Sequence, residues 1–404
     1  MKAFDFRDLR NVLLSDSEIS KYGLRFGDLL FIRVNGSKEK VGACYEVSER
    51  EPGMAFCDHL MRGRTCHTEL SPFLARAVTA PSIKEAITAR VICASGQNTI
   101  SQGVLAGLLV PVPPLAEQRR IVAELDRLLA LVDGVERDSA DLDALRGRAR
   151  SKVLDLAVRG LLVPQDASDE PASALLARAA DERRVLVKEG KAKAPKGGFS
   201  VIERRSDGAH YEKRGKGEPV RVEVPYDLPE GWAWARLGSL CVRLSRGKSP
   251  KYTEERRYPV FAQKCNQPWG ITLEKVKFLD PDSLPRYDEQ QKLRAGDVLI
   301  NSTGTGTLGR VGLFDEALLG SYPFIVPDSH VTVVRCSRSV EPKYVEFFLK
   351  SAVGQGLIFS KQTGSTNQKE LPCKEVEQFL VPVPPLAEQK RIAKMVDAAF
   401  DLMD

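Results

Sequence analysis

No stretch of the 404-residue chain approaches the roughly 18 consecutive apolar residues of a membrane-spanning helix. Met1 leads straight into Lys2, Asp5, Arg7 and Asp8 with no apolar signal core, so the cytosol is the expected location. The eight cysteines (Cys44, Cys57, Cys66, Cys93, Cys241, Cys265, Cys336 and Cys373) form no Cys-x-x-Cys pair, so neither a zinc ribbon nor a thioredoxin-like motif is expected. Cys57, His59, Cys66 and His67 lie near one another, but their spacing fits no standard metal site, and buried or loop thiols are expected instead. Histidine is scarce too: His59, His67, His210 and His330 show no pairing with serine or cysteine that would build a nucleophilic triad. A Walker lysine loop is missing. So is the Asn/Asp-Pro-Pro-aromatic motif of an adenine methyltransferase, because both Pro-Pro pairs stand in Val-Pro-Pro-Leu. No catalytic residue and no metal site is expected.

What is present describes a folded soluble protein, with 43% hydrophobic and 28% charged residues. Its length suits about two or three domains of roughly 100–200 residues each. A net charge of +6 permits a nucleic-acid partner without requiring one.

The strongest signal is an internal repeat. Leu-Val-Pro-Val-Pro-Pro-Leu-Ala-Glu-Gln stands at 109–118 and recurs unchanged at 380–389; Arg120-Ile121 is then answered by Arg391-Ile392, and Asp126 by Asp397. Ten identical residues in order are beyond chance, which leaves bare gene duplication or two equivalent modules. Upstream, Leu-Arg-Phe-Gly-Asp-Leu-Leu at 24–30 parallels Leu-Arg-Ala-Gly-Asp-Val-Leu at 293–299. A glycine-containing turn and an apolar strand follow each, over 41–47 and 310–314, and a Gly/Gln/Asn segment precedes each proline motif, at 95–98 and 363–368. Short strands with turn chemistry, then prolines, then a helix describe a compact α/β module feeding a helix.

The helix is legible. Proline is tolerated in a first helical turn, no proline falls between 115 and 159, and Gly160 stands where a C-terminal cap belongs. Ile121, Leu125, Leu128, Val132, Val135, Leu142, Ala149, Val153 and Leu156 recur at steps of three, four and seven, the seam of a coiled coil, broken by Ser139 and Arg146. Such a helix would be roughly 65 Å long and is expected to pack against another helix as a spacer. The second copy begins the same way, with Ile392, Met395, Val396 and Phe400. Between the repeats, 168–190 is expected as a further helix, 191–198 as a Lys/Pro/Gly stretch and 200–224 as a charged linker; Leu-Pro-Glu-Gly-Trp at 228–232 restarts a compact domain.

Gly304-x-Gly306-x-x-Gly309 fits the dinucleotide-binding string, but that fingerprint must open a helix. Here 310–314 follows as strand, and Gly320, Pro323 and Pro327 forbid a long crossover helix. A flexible Ser/Thr/Gly hairpin over 301–309 is expected, able to approach phosphate or bases, with a ligand-free β-turn as the alternative.

Pro-x-Pro-Pro-Leu-x-Glu-Gln ahead of a helix, occurring twice, resembles the conserved regions of type I restriction–modification specificity subunits. So does Leu-Pro-Glu-Gly-Trp-x-Trp at 228–234, and Asp-Glu-Pro-Ala-Ser at 169–173 with Lys-Glu-Gly-Lys at 188–191 is similar to that family's central connector. The resemblance covers nearly the whole chain. It implies an α/β protein in which two target-recognition modules of mixed short strands and helices are joined by long helices forming an antiparallel coiled-coil spacer. Each module would read one half of a split duplex DNA target, and the strut would set the gap, since B-DNA repeats about every 10.5 base pairs, roughly 34 Å. The implied partners are methyltransferase subunits, which use S-adenosylmethionine, and restriction/motor subunits, which use ATP and Mg; the chain itself would bind no cofactor and sit at no membrane. The implied layout is a first recognition domain at 1–112, a spacer helix at 113–160, a connector helix and linker at 161–227, a second recognition domain at 228–383 and the start of a second spacer helix at 384–404.

The sequence departs from the family pattern at both ends. A segment like 228–276 would precede the first Gly-Asp motif, yet only about two dozen residues precede Gly27. The first module is therefore expected to be incomplete and the second spacer helix truncated. The alternative reading is a remnant or split-subunit scaffold that assembles through its helices, with itself or another chain, and does not read DNA alone.

Base reading calls for Arg or Lys opposite guanine and Asn or Gln opposite adenine. The candidates are Arg33, Asn35, Lys38, Lys40, Gln97 and Asn98 in the first module. In the second they are Arg246, Lys248, Lys251, Lys264, Asn266, Gln267, the loop residues Ser302, Thr303 and Thr305, and Lys361, Gln362, Thr366, Asn367, Gln368 and Lys369. The proline motif either caps the junction between domain and helix or docks a methyltransferase subunit. In the docking reading Pro114 and Pro385 shape the surface, and Glu117, Gln118, Glu388 and Gln389 are its exposed polar contacts.

Overall fold

Each Gly-Asp motif turns the chain into a strand, and the two do so bond for bond. Gly27 and Gly296 take φ of 80° and 84°, a left-handed conformation that glycine reaches without a Cβ clash. The next carboxylate, Asp28 or Asp297, accepts the backbone N–H three residues back, from Arg25 or Arg294, at 2.9 Å in both. It is then gripped bidentately by an arginine from a neighbouring segment, Arg64 or Arg335. Burial pushes the Asp28 carboxyl up, but the Arg64 guanidinium and the Arg25 N–H outweigh it and hold it below the usual carboxylate range.

The computed structural model describes residues 10–48, 54–94, 96–195, 197–304, 306–364 and 369–403. The chain divides into units at 1–142 and 143–404. The first holds α1 (Asp16–Tyr22), β1 (Leu29–Ile32), β2 (Val34–Asn35), β3 (Cys44–Glu46), β4 (Leu60–Gly63), α2 (Ser71–Ala77), α3 (Pro81–Thr88), β5 (Ile92–Ala94), β6 (Gln97–Thr99) and α4 (Gln102–Ala106). The unit boundary falls inside α5 (Leu115–Val158). Strands order as β3-β1-β4 and β2-β6-β5, all antiparallel. Leu29, Val41, Cys44, Ala75, Ile83, Ile87 and Ile100 make the core.

The second unit continues with α6 (Ala172–Lys188), β7 (Ser200–Arg204), β8 (His210–Arg214), β9 (Val220–Val222), β10 (Ala233–Arg236), β11 (Cys241–Arg246), β12 (Tyr252–Thr253) and β13 (Pro259–Phe261). Then come β14 (Asn266–Gln267), β15 (Gly270–Ile271), β16 (Lys277–Leu279), β17 (Asp297–Asn301), β18 (Val311–Leu313), β19 (Val326–Pro327) and β20 (Val331–Cys336). It closes with α7 (Pro342–Lys350), α8 (Ala352–Ser360), α9 (Cys373–Glu377), β21 (Leu380–Val383) and α10 (Leu386–Asp401). Its main sheet runs β11-β20-β17-β18, a second runs β12-β16-β13-β19, and β10 pairs with β21. Buried Val298, Ile300, Val334, Val345, Phe348 and Val381 lie in its largest core cluster.

The duplication is therefore structural. The order β3-β1-β4 matches β18-β17-β20, and Gly27 and Gly296 both donate to the strand that follows, at Val47 O and Phe314 O, each at 2.9 Å. Ile100 and Leu371 likewise donate to Arg33 O and Ser302 O. The strand β11 has no counterpart: among the described residues nothing pairs with the outer edge of β4.

Two expectations change. Residues 200–224, read as a linker, form the antiparallel sheet β7-β8-β9. Its charged composition hides one internal anchor, the buried Glu212, which pairs with Arg214 at 2.6 Å and Arg236 at 2.8 Å and accepts from Ser200. The expected seam of α5 is not sealed: Ile121, Val153 and Leu156 are half-buried, and the buried residues near the helix end lie off it. Leu154, Ala157 and Val158 are buried, and Leu154 and Ala157 cluster with Ile392, Ala393 and Val396 of α10, while Arg150 stacks on Phe400 and Gln165 meets Glu388, an antiparallel run. Leu125, Leu128, Val132, Val135 and Leu142 stay exposed.

Candidate nucleic-acid interface

The glycine loop joins β17 to β18 as a hairpin, as its composition implies, and it is held more tightly than its composition suggests. Gly304 and Gly309 take φ of 102° and 84°, and Gly309 N–H donates to Asn301 O at 2.9 Å. Asn301 donates through Nδ2 to Gln263 O at 2.9 Å, and the Thr307 hydroxyl donates to Gln263 Oε1 at 3.1 Å. Arg310 reaches across to Asn266 O, to Gln267 Oε1 at 3.0 Å and to Gly306 O. These bonds tie the loop to the β14–β15 hairpin, at whose tip stands Trp269, 81% exposed. The first module builds the same corner with a different loop: Gly42 donates to Ile32 O as Gly309 does to Asn301 O, and Arg33 N–H meets His59 O as Ser302 N–H meets His330 O.

Several candidates serve the loops themselves and do not face outward. Asn266 is fully buried and donates to Leu299 O and Arg310 O, which holds β14 against β17. Ser302 is buried with its hydroxyl on Thr332, and Asn98 is buried with its amide on Gly36 O at 3.0 Å. Asn35 accepts from Ser37 N–H in a local turn. Thr303 bonds His330 Nδ1 at 2.7 Å. Lys248 is half-buried, donating to Arg286 O with its ammonium over the Tyr287 ring. Lys361 pairs loosely with Glu375 at 3.7 Å, and Arg246 pairs with Glu370 at 2.7 Å. Arg33, Lys38, Lys40, Gln97 and Lys251 are exposed, and Lys264 is half-buried. Thr305, Thr366, Asn367 and Gln368 lie outside the described residues. Trp269 was not among the candidates, although a lone tryptophan ahead of a glycine, in Gln-Pro-Trp-Gly, is a turn-tip signal.

The proline motif also corrects a reading. Gln118, Glu388 and Gln389, expected as exposed contacts, are buried. Both glutamines brace the helix entry, Gln118 Nε2 donating to Pro113 O at 2.7 Å and Gln389 Nε2 to Pro384 O at 2.8 Å. A carbonyl five residues back thus gains a donor that proline cannot supply from its own backbone. Glu388 accepts from Trp232 Nε1 at 2.9 Å and Gln165 Nε2 at 2.7 Å, and burial pushes its carboxyl above the ordinary value against those donors. Pro385 is buried; Pro114 and Glu117 are exposed.

Residues 229–404 match the family model described as the type I restriction modification DNA specificity domain. The type I restriction enzyme EcoAI specificity subunit of Escherichia coli is 26% identical over 79% of this chain and 57% of its own length. The EcoKI specificity subunit of E. coli K12 is 32% identical over 41% of this chain and 36% of its own. The chain thus spans little more than half the length of the first of these relatives. A solved chain, from a study of complex assembly and conformational transition of the type I R-M system, superposes with a TM-score of 0.56 at 20% identity, covering 94% of this chain and 76% of that one. Residues 229–404 therefore belong to the type I restriction–modification DNA specificity family, and the chain is a relative of its specificity subunits.

Proposed function

We propose that this chain is the non-catalytic DNA-reading component of a type I restriction–modification complex. In this reading each module addresses one half of a bipartite duplex target, methyltransferase subunits using S-adenosylmethionine act on adenine, and restriction/motor subunits using ATP and Mg join them. The observation that carries it is the shared corner of the two modules. The same strand order and the same Gly-Asp/Arg grip each present one loop beside the central strand, with exposed cations or an exposed aromatic nearby.

Arg33, Lys38, Lys251 and Lys361 supply phosphate charge and guanine donors, Gln97 suits adenine, and Trp269 offers an aromatic face for a groove. Asn266, Ser302 and Asn98 contribute by holding the loops in shape. A methyltransferase subunit can use Pro114 and Glu117, whereas Pro385, Glu388 and Gln389 are already committed to the second module's own junction. The exposed seam of α5 suits a further helix, from a second copy or another subunit.

Long-read methylation mapping of DNA exposed to this chain with its methyltransferase subunit tests the reading. The expected result is a split motif with a fixed gap. No methylation by a folded, associated complex would refute it.

A further inference from the structure

The chain's basicity is concentrated in one place. Residues 183–221 hold twelve lysines and arginines against five acidic residues, a net charge of +7, whereas the whole chain carries +6. In sequence this segment lies between the two modules, in the end of α6 and the sheet β7-β8-β9. The sheet has two unlike faces. Ile202 and Glu212, opposite each other in the register, are buried; Glu212 meets Arg236 of β10 at 2.8 Å, and Arg214 bonds Gln378. That face fastens the sheet to the second module. Alternation sends the residues between them to the other face. There Val201 stands opposite Lys213, and Glu203, Tyr211 and Arg221 form one row across the three strands.

The cations of this outer face are left unused by the protein. Lys213 and Lys216 are exposed and make no hydrogen bond or ion pair with the described residues, and the same holds for Lys188 and Lys193 ahead of the sheet. Arg221 has only the exposed Glu223, at 3.7 Å. On α5, by contrast, Arg127, Arg146 and Arg159 each pair with a carboxylate within one helical turn. Arg205 and Arg184 lie over the rings of Tyr211 and Phe199, 4.4 Å and 5.0 Å from the centroids. A guanidinium stacked on a ring is held in place while its N–H edge stays available. These two pairs, with Val201 and Lys213, line a hollow of about 360 Å³ on the face.

We propose that the outer face of β7-β8-β9 grips the sugar–phosphate backbone of duplex DNA without reading its sequence. The proposal rests on the reading that the complex acts on DNA, and it places phosphate charge outside the two modules. Phosphates call for cations and for no particular base edge, and unpaired lysines with ring-held guanidinia supply those. Glu203 is the one carboxylate of the outer rows, against Arg205, Lys213 and Arg221, so the face stays positive. Two other occupants fit less well. Stacking the bases of a single strand needs open aromatic faces, and both rings here are covered by the protein's own arginines. A protein interface is built around an apolar core and is poor in lysine, whereas Val201 stands alone among charged neighbours on this face.

The test is anisotropy of a fluorescein-labelled duplex of about 30 base pairs, titrated across salt concentrations with the full chain and with its methyltransferase complex. Arg205→Gln, Lys213→Gln and Arg221→Gln together should weaken binding at least about tenfold at about 0.1 M salt and lower the salt slope by about two to three, alike for every duplex. The methylated motif should stay the same. Circular dichroism and melting temperature should match the wild type, because all three side chains are exposed. Removing exposed cations elsewhere, by Lys84→Gln, Arg90→Gln and Arg137→Gln, should change affinity by no more than about twofold. A triple variant with wild-type affinity and slope, in a complex that still methylates DNA, overturns the proposal and leaves the DNA reading standing. A wild-type chain and complex that bind no duplex overturn both. Stronger competition by a single strand than by unlabelled duplex overturns the proposal too. So does loss of the methyltransferase subunit from the triple variant with duplex binding intact, which makes the face a protein interface.

Discussion

Trp232→Phe isolates the bond that closes the second module's helix junction. The indole is buried, stands edge-on to Tyr344 with centroids 6.5 Å apart, and donates to a buried carboxylate at 2.9 Å. A phenyl ring keeps the aromatic contact and removes the donor together with part of the ring. Loss of a hydrogen bond to a charged acceptor costs about 1.5–3 kcal/mol, and the smaller ring adds about 1 kcal/mol of lost packing. The expected destabilisation of residues 143–404 is about 2.5–4 kcal/mol, read as a lower denaturation midpoint at unchanged slope.

The pH dependence supplies a second readout. Burial already raises the Glu388 pKa, and losing the indole raises it further. A folded state with a raised carboxyl pKa binds more protons than the unfolded chain, so stability falls as pH rises through that window. The variant's deficit should thus be larger at about pH 8 than at about pH 5. Glu388→Leu combined with Trp232→Phe should cost about 1–2 kcal/mol less than the two single changes added, because the indole and the carboxylate then no longer leave each other unpaired, while the loss of the Gln165 bond is common to the Glu388→Leu single change and the double. A deficit below about 1 kcal/mol, independent of pH and strictly additive with Glu388→Leu, would refute the argument.

Three further outcomes are expected. Arg335→Met strands the buried Asp297 carboxylate and should cost about 3–5 kcal/mol, with Asp297→Leu restoring much of it, as measured by urea denaturation. The Asp28 pKa is lowered in the folded state, so its contribution is present above the unfolded-state pKa and lost as pH falls through the folded one; Arg64→Met should abolish that acid-side loss in a pH titration of stability. In the assembled complex Lys251→Ala should weaken all duplexes alike and lower the salt slope by about one, whereas Trp269→Ala should alter preference among sequences; a change in neither affinity nor preference removes Trp269 from the interface.

Local chemistry was readable where it acts within a few residues. The helix over 115–158 followed from the absence of proline and the apolar period, and the glycine hairpin from residues that only a turn accommodates. The repeat was readable because identity is a property of the string. Partnership was not. The sheet at 200–222 hangs on Glu212, whose use as a buried anchor depends on Arg236 from a later strand. Asn266 looked like a base reader until the strands around it closed over its side chain. The decapeptide makes the point most directly: the same ten residues are a buried strand and helix cap at 380–389 and an open edge at 109–118. Backbone edges and buried carboxylates are completed by whatever lies beside them, and for Glu388 that neighbour is Trp232, 156 residues earlier in the chain.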